Sequence, residues 1–461
     1  MRLLLLILSG SVFLACTGKK ASSDTVYFGG EIVNPSSEYV VLYKNDVILD
    51  SAKLDQNNRF AFSLKNIDEG LHHFDHLPEQ QYVYLERGDS ILIRLNTMAF
   101  DESLVFSGSN EEVNNFMIEM FLNYEDEERL VYAYYQLSPE DFSSKIDSLR
   151  GQKLAELEEF IVGEDLSEEA YSMAKATIDY NSFLYKEKYP FYHRKKTNED
   201  TFHQLKGDFY GYRKNLDFNN LDLAYFKPYY DFMIHHFGNI SYMNCVENCN
   251  SSKYLSKKNQ LHLNRHKMTL IDSLVDVKEL RDNLFRNVAM DYLLKVHETN
   301  KDCHAFIQEF ESLSENDIHK EEIRGLYHSI NNLQADKELP DLKLEDIDGN
   351  MISLKEMSKS NNTLFYFWTA SQKRHFKNVL RHIDKISKKH PDFKFVGINL
   401  RTGRKQWENL IRENKLDTTN QYWSDNFNTV QAMLVIDNLN KCIISEDTVI
   451  VDGFANVFKS F

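Results

Sequence analysis

Thr363-Leu364-Phe365-Tyr366-Phe367-Trp368 is a short, unbroken apolar run, set between Asn361-Asn362 and Thr369-Ala370-Ser371. An exposed strand alternates polar and apolar residues, so a continuous run of this length reads as a strand buried on both faces. Phe393-Lys394-Phe395-Val396-Gly397-Ile398-Asn399 reads as a second buried strand, and a helix spanning about 372–389 separates the two. A further helix covers about 404–414, and Thr448-Val449-Ile450-Val451-Asp452 reads as the third core strand. Strand–helix–strand spacing of this kind predicts parallel pairing, with helices on the sheet faces. Just upstream, Leu342–Ile347 and Asn350–Leu354 flank Asp348-Gly349, a hairpin turn.

Towards the N-terminus the texture changes twice. Over 110–335 helix signals dominate. Ser138-Pro139-Glu140-Asp141 places a capping residue, then proline at the first helical position, then acids at the positive end of the helix dipole. Ser167-Glu168-Glu169 and Ser314-Glu315-Asn316-Asp317 repeat the device, and Leu280, Leu284, Val288, Met290 and Leu294 recur at helical spacing. Over 25–109 the chain reads as short strands such as Tyr39-Val40-Val41-Leu42-Tyr43 and Tyr82-Val83-Tyr84-Leu85. Turn-formers part them, among them Asn34-Pro35-Ser36, Asp68-Glu69-Gly70 and Arg87-Gly88-Asp89. The expected fold class is multi-domain: a small N-terminal β sandwich or barrel over 25–109, an α-helical middle over 110–335, and a C-terminal α/β domain over 338–461.

Leu339-Pro340-Asp341, the Asp348-Gly349 turn, the strand end Phe367-Trp368 and Val396-Gly397-Ile398-Asn399 fall in a familiar order. In these residues 338–461 resembles the thioredoxin-like domain of TlpA-like thiol–disulfide oxidoreductases. Gly29-Gly30-Glu31-Ile32, Leu85-Glu86-Arg87-Gly88-Asp89-Ser90 and Phe106-Ser107-Gly108-Ser109 resemble the small β domain that precedes thioredoxin modules in many Bacteroidetes lipoproteins.

In the TlpA-like family the Phe-Trp pair leads to Cys-x-x-Cys at a helix start. There the dipole lowers the pKa of the attacking thiol, and the second thiol resolves the mixed disulfide. Here Gln372 falls at the attacking position and His375 at the resolving one. The family also sets a cis-proline before its third core strand, opposite that pair; counting back from Asp452, the slot falls on Glu446. The resemblance therefore implies a degenerate site with no catalytic residue. Trp368, Gln372, His375 and Glu446 are the ligand-binding candidates, with His375 expected to face Glu446. It also implies a missing terminal helix, which leaves a sheet face near Phe454, Phe458 and Phe461 to be covered by the helical region or a partner.

The chain has 461 residues, with 54 Lys and Arg against 70 Asp and Glu, a net charge of −16. That sign argues against general binding to nucleic-acid phosphates and against polybasic docking on anionic lipid. A hydrophobic content of 42% with 31 Phe and 25 Tyr argues against a disordered chain. Arg2, the apolar Leu3–Leu8 and the small residues before Cys16 read as a secretory signal peptide over 1–15. Leu14-Ala15-Cys16 resembles the end of a bacterial lipobox, which implies a lipidated Cys16 and a membrane contact through the lipid anchor alone. Thr17 in place of Asp implies an outer-membrane lipoprotein facing the periplasm. Cys245, Cys249, Cys303 and Cys442 would then sit in an oxidising compartment, where three pairings are open. A Cys245–Cys249 disulfide requires a non-helical stretch, and the surrounding Asn244, Asn248 and Asn250 predict a loop.

No metal or cofactor site is expected. His72, His73 and His76 near a turn, and His262 and His266 on one helix face, lack the further ligands that zinc requires and read as surface residues. P-loop, Gly-x-Gly-x-x-Gly and Gly-x-Ser-x-Gly signatures are absent from the sequence. The first functional expectation is a redox-inactive module that binds a peptide or an envelope protein, or serves envelope assembly. The alternative is a thiol–disulfide oxidoreductase working through Cys245 and Cys249; a scaffold alone is the third reading.

Overall fold

The computed structural model describes residues 24–162, 166–199, 205, 208–248 and 257–460. The predicted signal peptide, Cys16 and Cys249 lie outside the described residues. The chain divides into two compact units, Met1–Asn239 and Ile240–Phe461.

The first unit begins with β1 (Thr25–Val33), β2 (Tyr39–Lys44), β3 (Val47–Lys53), β4 (Arg59–Lys65), β5 (Gly70–His76), β6 (Glu79–Leu85), β7 (Ser90–Asn96), the single turn α1 (Phe100–Ser103) and β8 (Val105–Gly108). They form two open four-stranded sheets, ordered β4-β1-β7-β8 and β3-β2-β5-β6, rather than a closed barrel. Alternate residues of both sheets feed one core, in which the Phe28 ring lies 6.0 Å from Phe62 and 5.6 Å from Phe74. The histidines of β5 are a correction to the sequence reading. His72, His73 and His76 lie within a strand and are buried: His76 Nε2 accepts from the Ser36 and Ser37 amides, His72 Nδ1 pairs with the Gly70 carbonyl at 2.9 Å, and the His73 ring stacks on Tyr43 at 4.6 Å.

Helices follow: α2 (Glu111–Tyr134), α3 (Pro139–Phe160), α4 (Glu168–Thr197) and α5 (Lys227–Asn248), within which the boundary between the units falls. Ser138 and Ser167 cap α3 and α4 through their side chains, as their sequence signals require. Asn114 of α2 is buried and acts as a strand neighbour to β6, accepting from Tyr84 N at 2.7 Å and donating to its carbonyl at 3.1 Å.

The second unit holds α6 (Lys257–Leu274), α7 (Lys278–Val296), α8 (Lys301–Leu313) and α9 (Asp317–Asn332), then the hairpin β9 (Lys343–Glu345) and β10 (Met351–Ser353). Next come α10 (Leu354–Ser358), β11 (Asn362–Trp368), α11 (Lys373–Lys389), β12 (Phe393–Asn399), α12 (Arg404–Glu413), β13 (Gln421–Tyr422), α13 (Phe427–Met433), β14 (Lys441–Glu446) and β15 (Val449–Asn456). The five-stranded sheet is ordered β13-β12-β11-β14-β15, with β11, β12 and β13 parallel, β14 antiparallel to β11, and β15 antiparallel to β14.

Here the sequence reading is corrected again: the strand beside β11 is Lys441–Glu446, and the stretch read as the third core strand belongs to the outer strand β15, Val449–Asn456. The helical region of this unit covers the sheet. His297 stacks on Phe454 at 4.2 Å, and the Leu333 carbonyl presses against Gly453. Lys337 and its neighbours pair along the outer edge of β15: the amides of Asp336 and Leu339 donate to Ile450 and Thr448, and Lys337 O accepts from Ile450 N.

Candidate functional site

The carboxyl ends of parallel strands and the helix start beyond them are where α/β sheets place their sites. β11 ends in Trp368, and α11 starts at Lys373 with Gln372 as its N-cap. Gln372 is exposed and its side chain does not cap the helix. Trp368 is fully buried: its indole N–H donates to Gln421 Oε1 at 3.1 Å, and its ring stacks on Phe376 at 4.6 Å. As a core residue it has no face left for a ligand, which removes it from the expected site.

His375 lies one turn into α11, half-buried beside the ring of Phe458 at 6.1 Å. Burial pushes its pKa down, and the Leu439 carbonyl and Asn440 side chain beside it push it back up. Neither meets hydrogen-bond geometry, so both ring nitrogens lack a partner among the described residues.

Glu446 is elsewhere. It pairs with Asn362 at the start of β11, and six residues of strand, about 20 Å, separate that end from Trp368. The expected His375–Glu446 pair is therefore not formed. The miscount comes from taking Thr448–Asp452 as the third core strand; the turn before the strand beside β11 is Asn438-Leu439-Asn440, and this is what meets His375. The sequence signal that would have found it is the β-prone Cys442-Ile443-Ile444 following an Asn-rich turn.

The thiols are placed for packing. Cys442 points into the core under α11, and burial pushes its pKa up to about 12. Cys303 near the start of α8 is fully buried, with its pKa pushed up to about 11 by the same cause. Neither is in a disulfide, and neither supplies a thiolate at neutral pH. Cys245 is buried within α5, which stays helical through Asn248 where a loop was expected. Among the described residues no group of three or more His, Cys, Asp or Glu is arranged to hold a metal ion, and no helix is long and apolar enough to cross a membrane.

A five-stranded sheet in which β14 alone runs against the other four strands, and a helix entered from the end of the central strand, decide the topology. The C-terminal region has a thioredoxin-like fold. No protein-family model matches the chain, and no curated protein matches it. Solved structures with which it aligns include the thioredoxin domain of a thiol-disulfide oxidoreductase from Bacteroides vulgatus, at 21% identity and a TM-score of 0.22, covering 26% of this chain and 87% of that one. A thiol-disulfide oxidoreductase from Bacteroides fragilis aligns at 24% identity and a TM-score of 0.21, covering 25% of this chain and 87% of that one. A thioredoxin-like protein from Bacteroides caccae spans more, 53% of this chain and 86% of that one, at 12% identity and a TM-score of 0.30.

What the thioredoxin-like region does present to solvent is charge. The inner face of α11 carries Phe376, Val379 and Ile386, spaced to pack on the sheet. Its outer face exposes Lys373, Arg374, Lys377, Arg381, Lys385, Lys388 and Lys389, against the lone carboxylate of Asp384. Among the described residues, Lys388 alone of these cations is paired with a carboxylate, Asp384 at 2.7 Å. The sequence reading passed over this stripe, although its helical spacing was legible.

Proposed function

We propose that this chain is an envelope lipoprotein, outer-membrane anchored and facing the periplasm, whose thioredoxin-like domain recognises an acidic partner segment and performs no dithiol exchange. The observation that carries the reading is the basic outer face of α11 in a chain of net charge −16. A concentrated positive stripe on an otherwise negative body repels like molecules and steers an acidic segment to one place. Gln372 and Lys373 at the helix start, where the TlpA-like family keeps its first thiol, belong to the same surface. The buried thiols of Cys303 and Cys442 support the absence of exchange chemistry. The N-terminal pair of facing sheets is then a β sandwich that serves as a spacer or docking module.

The test uses residues 21–461 with two readouts. Binding of a fluorescent poly-glutamate peptide should be saturable, should weaken as salt rises, and should fall at least ten-fold in the triple variant Lys377→Glu/Arg381→Glu/Lys385→Glu, whose side chains are all exposed. Reduction of a model disulfide protein should not exceed that of the Cys245→Ser/Cys249→Ser variant. Equal peptide binding by the triple variant, or disulfide reduction lost in the Ser variant, overturns the reading.

A further inference from the structure

A second site lies in the first unit, in a cleft of about 410 Å³ between β6, α2, α4 and α5. Its size falls within the range of small-molecule pockets. The walls are apolar and aromatic: Met117, Ile118, Phe121 and Tyr124 from α2, Tyr82 from β6, and Phe226 just before α5. They are held in place before any ligand arrives. The Tyr82 hydroxyl donates to Tyr225 O at 3.2 Å and accepts from Lys227 N at 3.0 Å, and its ring meets Phe226 edge-on at 5.7 Å.

The polar lining is strongly one-sided. Glu79, Asp101, Glu125 and Asp231 face a single ammonium, Lys227, and that one is already paired with Asp231. Among the described residues no Lys or Arg forms an ion pair with Glu79, Asp101 or Glu125; Asp101 is instead oriented by the Gln81 amide at 2.9 Å. Burial and the neighbouring carboxylates, Asp101 first, hold the Glu125 pKa above its ordinary value, the direction that crowded carboxylates impose on one another. The same carboxylates form no group able to hold a metal ion. A site with dispersed acids and ring faces favours a cation that spreads its charge over an apolar body.

We infer that the cleft between β6 and helices α2, α4 and α5 binds a small organic cation, an amine or guanidine on an apolar body, with its body against Phe121, Tyr124 and Phe226 and its charge towards Asp101 and Glu125. The inference is independent of the α11 surface, which lies in the other unit and takes the opposite charge.

Calorimetric titration of residues 21–461 with phenethylamine, and with the uncharged 2-phenylethanol, tests it. The amine should bind saturably and at least five-fold more tightly than the alcohol, the factor that about 1 kcal/mol of cation–aromatic and charge attraction supplies. Glu125→Gln, at an exposed rim position, and Asp101→Asn, which keeps an acceptor for Gln81, should each weaken the amine about five-fold while leaving the alcohol unchanged. Equal affinity for amine and alcohol, variants that bind the amine as the parent does, or no saturation up to roughly 10 mM amine would each overturn the assignment.

Discussion

The carbonyl oxygen of Leu333 lies 2.1 Å from the position that a Cβ on Gly453 would occupy. No side chain fits there, so the end of α9 sits directly on the backbone of β15. The glycine is required by space and not by its backbone angles.

Gly453→Ala should therefore force the helical region off the sheet. Overpacking against backbone, which cannot rotate away, costs about 3 kcal/mol. Thermal unfolding should show the second unit melting earlier, with the first unit unchanged. An unaltered melting curve would mean that α9 shifts freely.

His72 makes the first unit acid-sensitive. Burial, aided by the nearby Lys44 cation, lowers its pKa from 6.5 to about 4. The unfolded chain takes up a proton as pH falls through 6.5, and the folded chain resists until about pH 4. Stability from this group is full above pH 6.5 and is progressively lost below it, by about 3 kcal/mol in all. Denaturant titrations from pH 7 to 4 should show this slope in the parent and a shallower one in His72→Gln.

Lys441 should act in the alkaline direction. Its ammonium donates to Val435 O at 2.9 Å and lies 4.3 Å from the Phe454 ring centroid, yet burial lowers its pKa to about 7. The unfolded chain holds this proton up to its ordinary value of 10.5, so the second unit gains stability as pH rises between about 7 and 10.5. Lys441→Met removes the buried charge at the cost of one hydrogen bond. It should stabilise the unit by about 1–3 kcal/mol at pH 7 and flatten that slope. A destabilised Met variant would show that the Val435 bond outweighs desolvation.

Installing thiols tests the helix start directly. Gln372→Cys places a sulfur at an exposed helix N-terminus beside Lys373 and Arg374, where a thiolate is favoured and a pKa of about 7 is expected. Its alkylation at neutral pH should far outpace that of Cys303 and Cys442, mapped by mass spectrometry in the same sample. Comparable rates would mean that α11 exerts no field at that position.

Most of the C-terminal topology was legible because its signals are local. Thr363–Trp368 is too apolar to be anything but a buried strand, and Asp348-Gly349 allows little but a turn. β14 was missed because it begins with a buried lysine, Lys441, and ends with Ser445 and Glu446, so its pattern looks half-polar; its burial comes from neighbours far away in sequence. That omission moved the expected neighbour of His375 from the Asn438-Leu439-Asn440 turn to Glu446, at the wrong end of the sheet. The histidines of β5 misled for the same reason, since the backbone groups of Ser36, Ser37 and Gly70 that satisfy two of them are fixed only once the sheet forms. α5 runs helical through asparagines that prefer turns, with Phe232 and Phe237 buried along it.

The hydrogen bonds that Asp336, Lys337 and Leu339 make to β15 bear on how the molecule can be cut. A fragment starting at Asp341 would keep every strand of the five-stranded sheet, yet it would strip the outer strand of its cover. The bare edge would offer unpaired amides and carbonyls to another copy, with the exposed Val449 and Val451 beside them. Such a fragment should aggregate where one beginning ahead of α7 stays monodisperse. The segment between α9 and β9 is thus a built-in guard against edge-to-edge polymerisation.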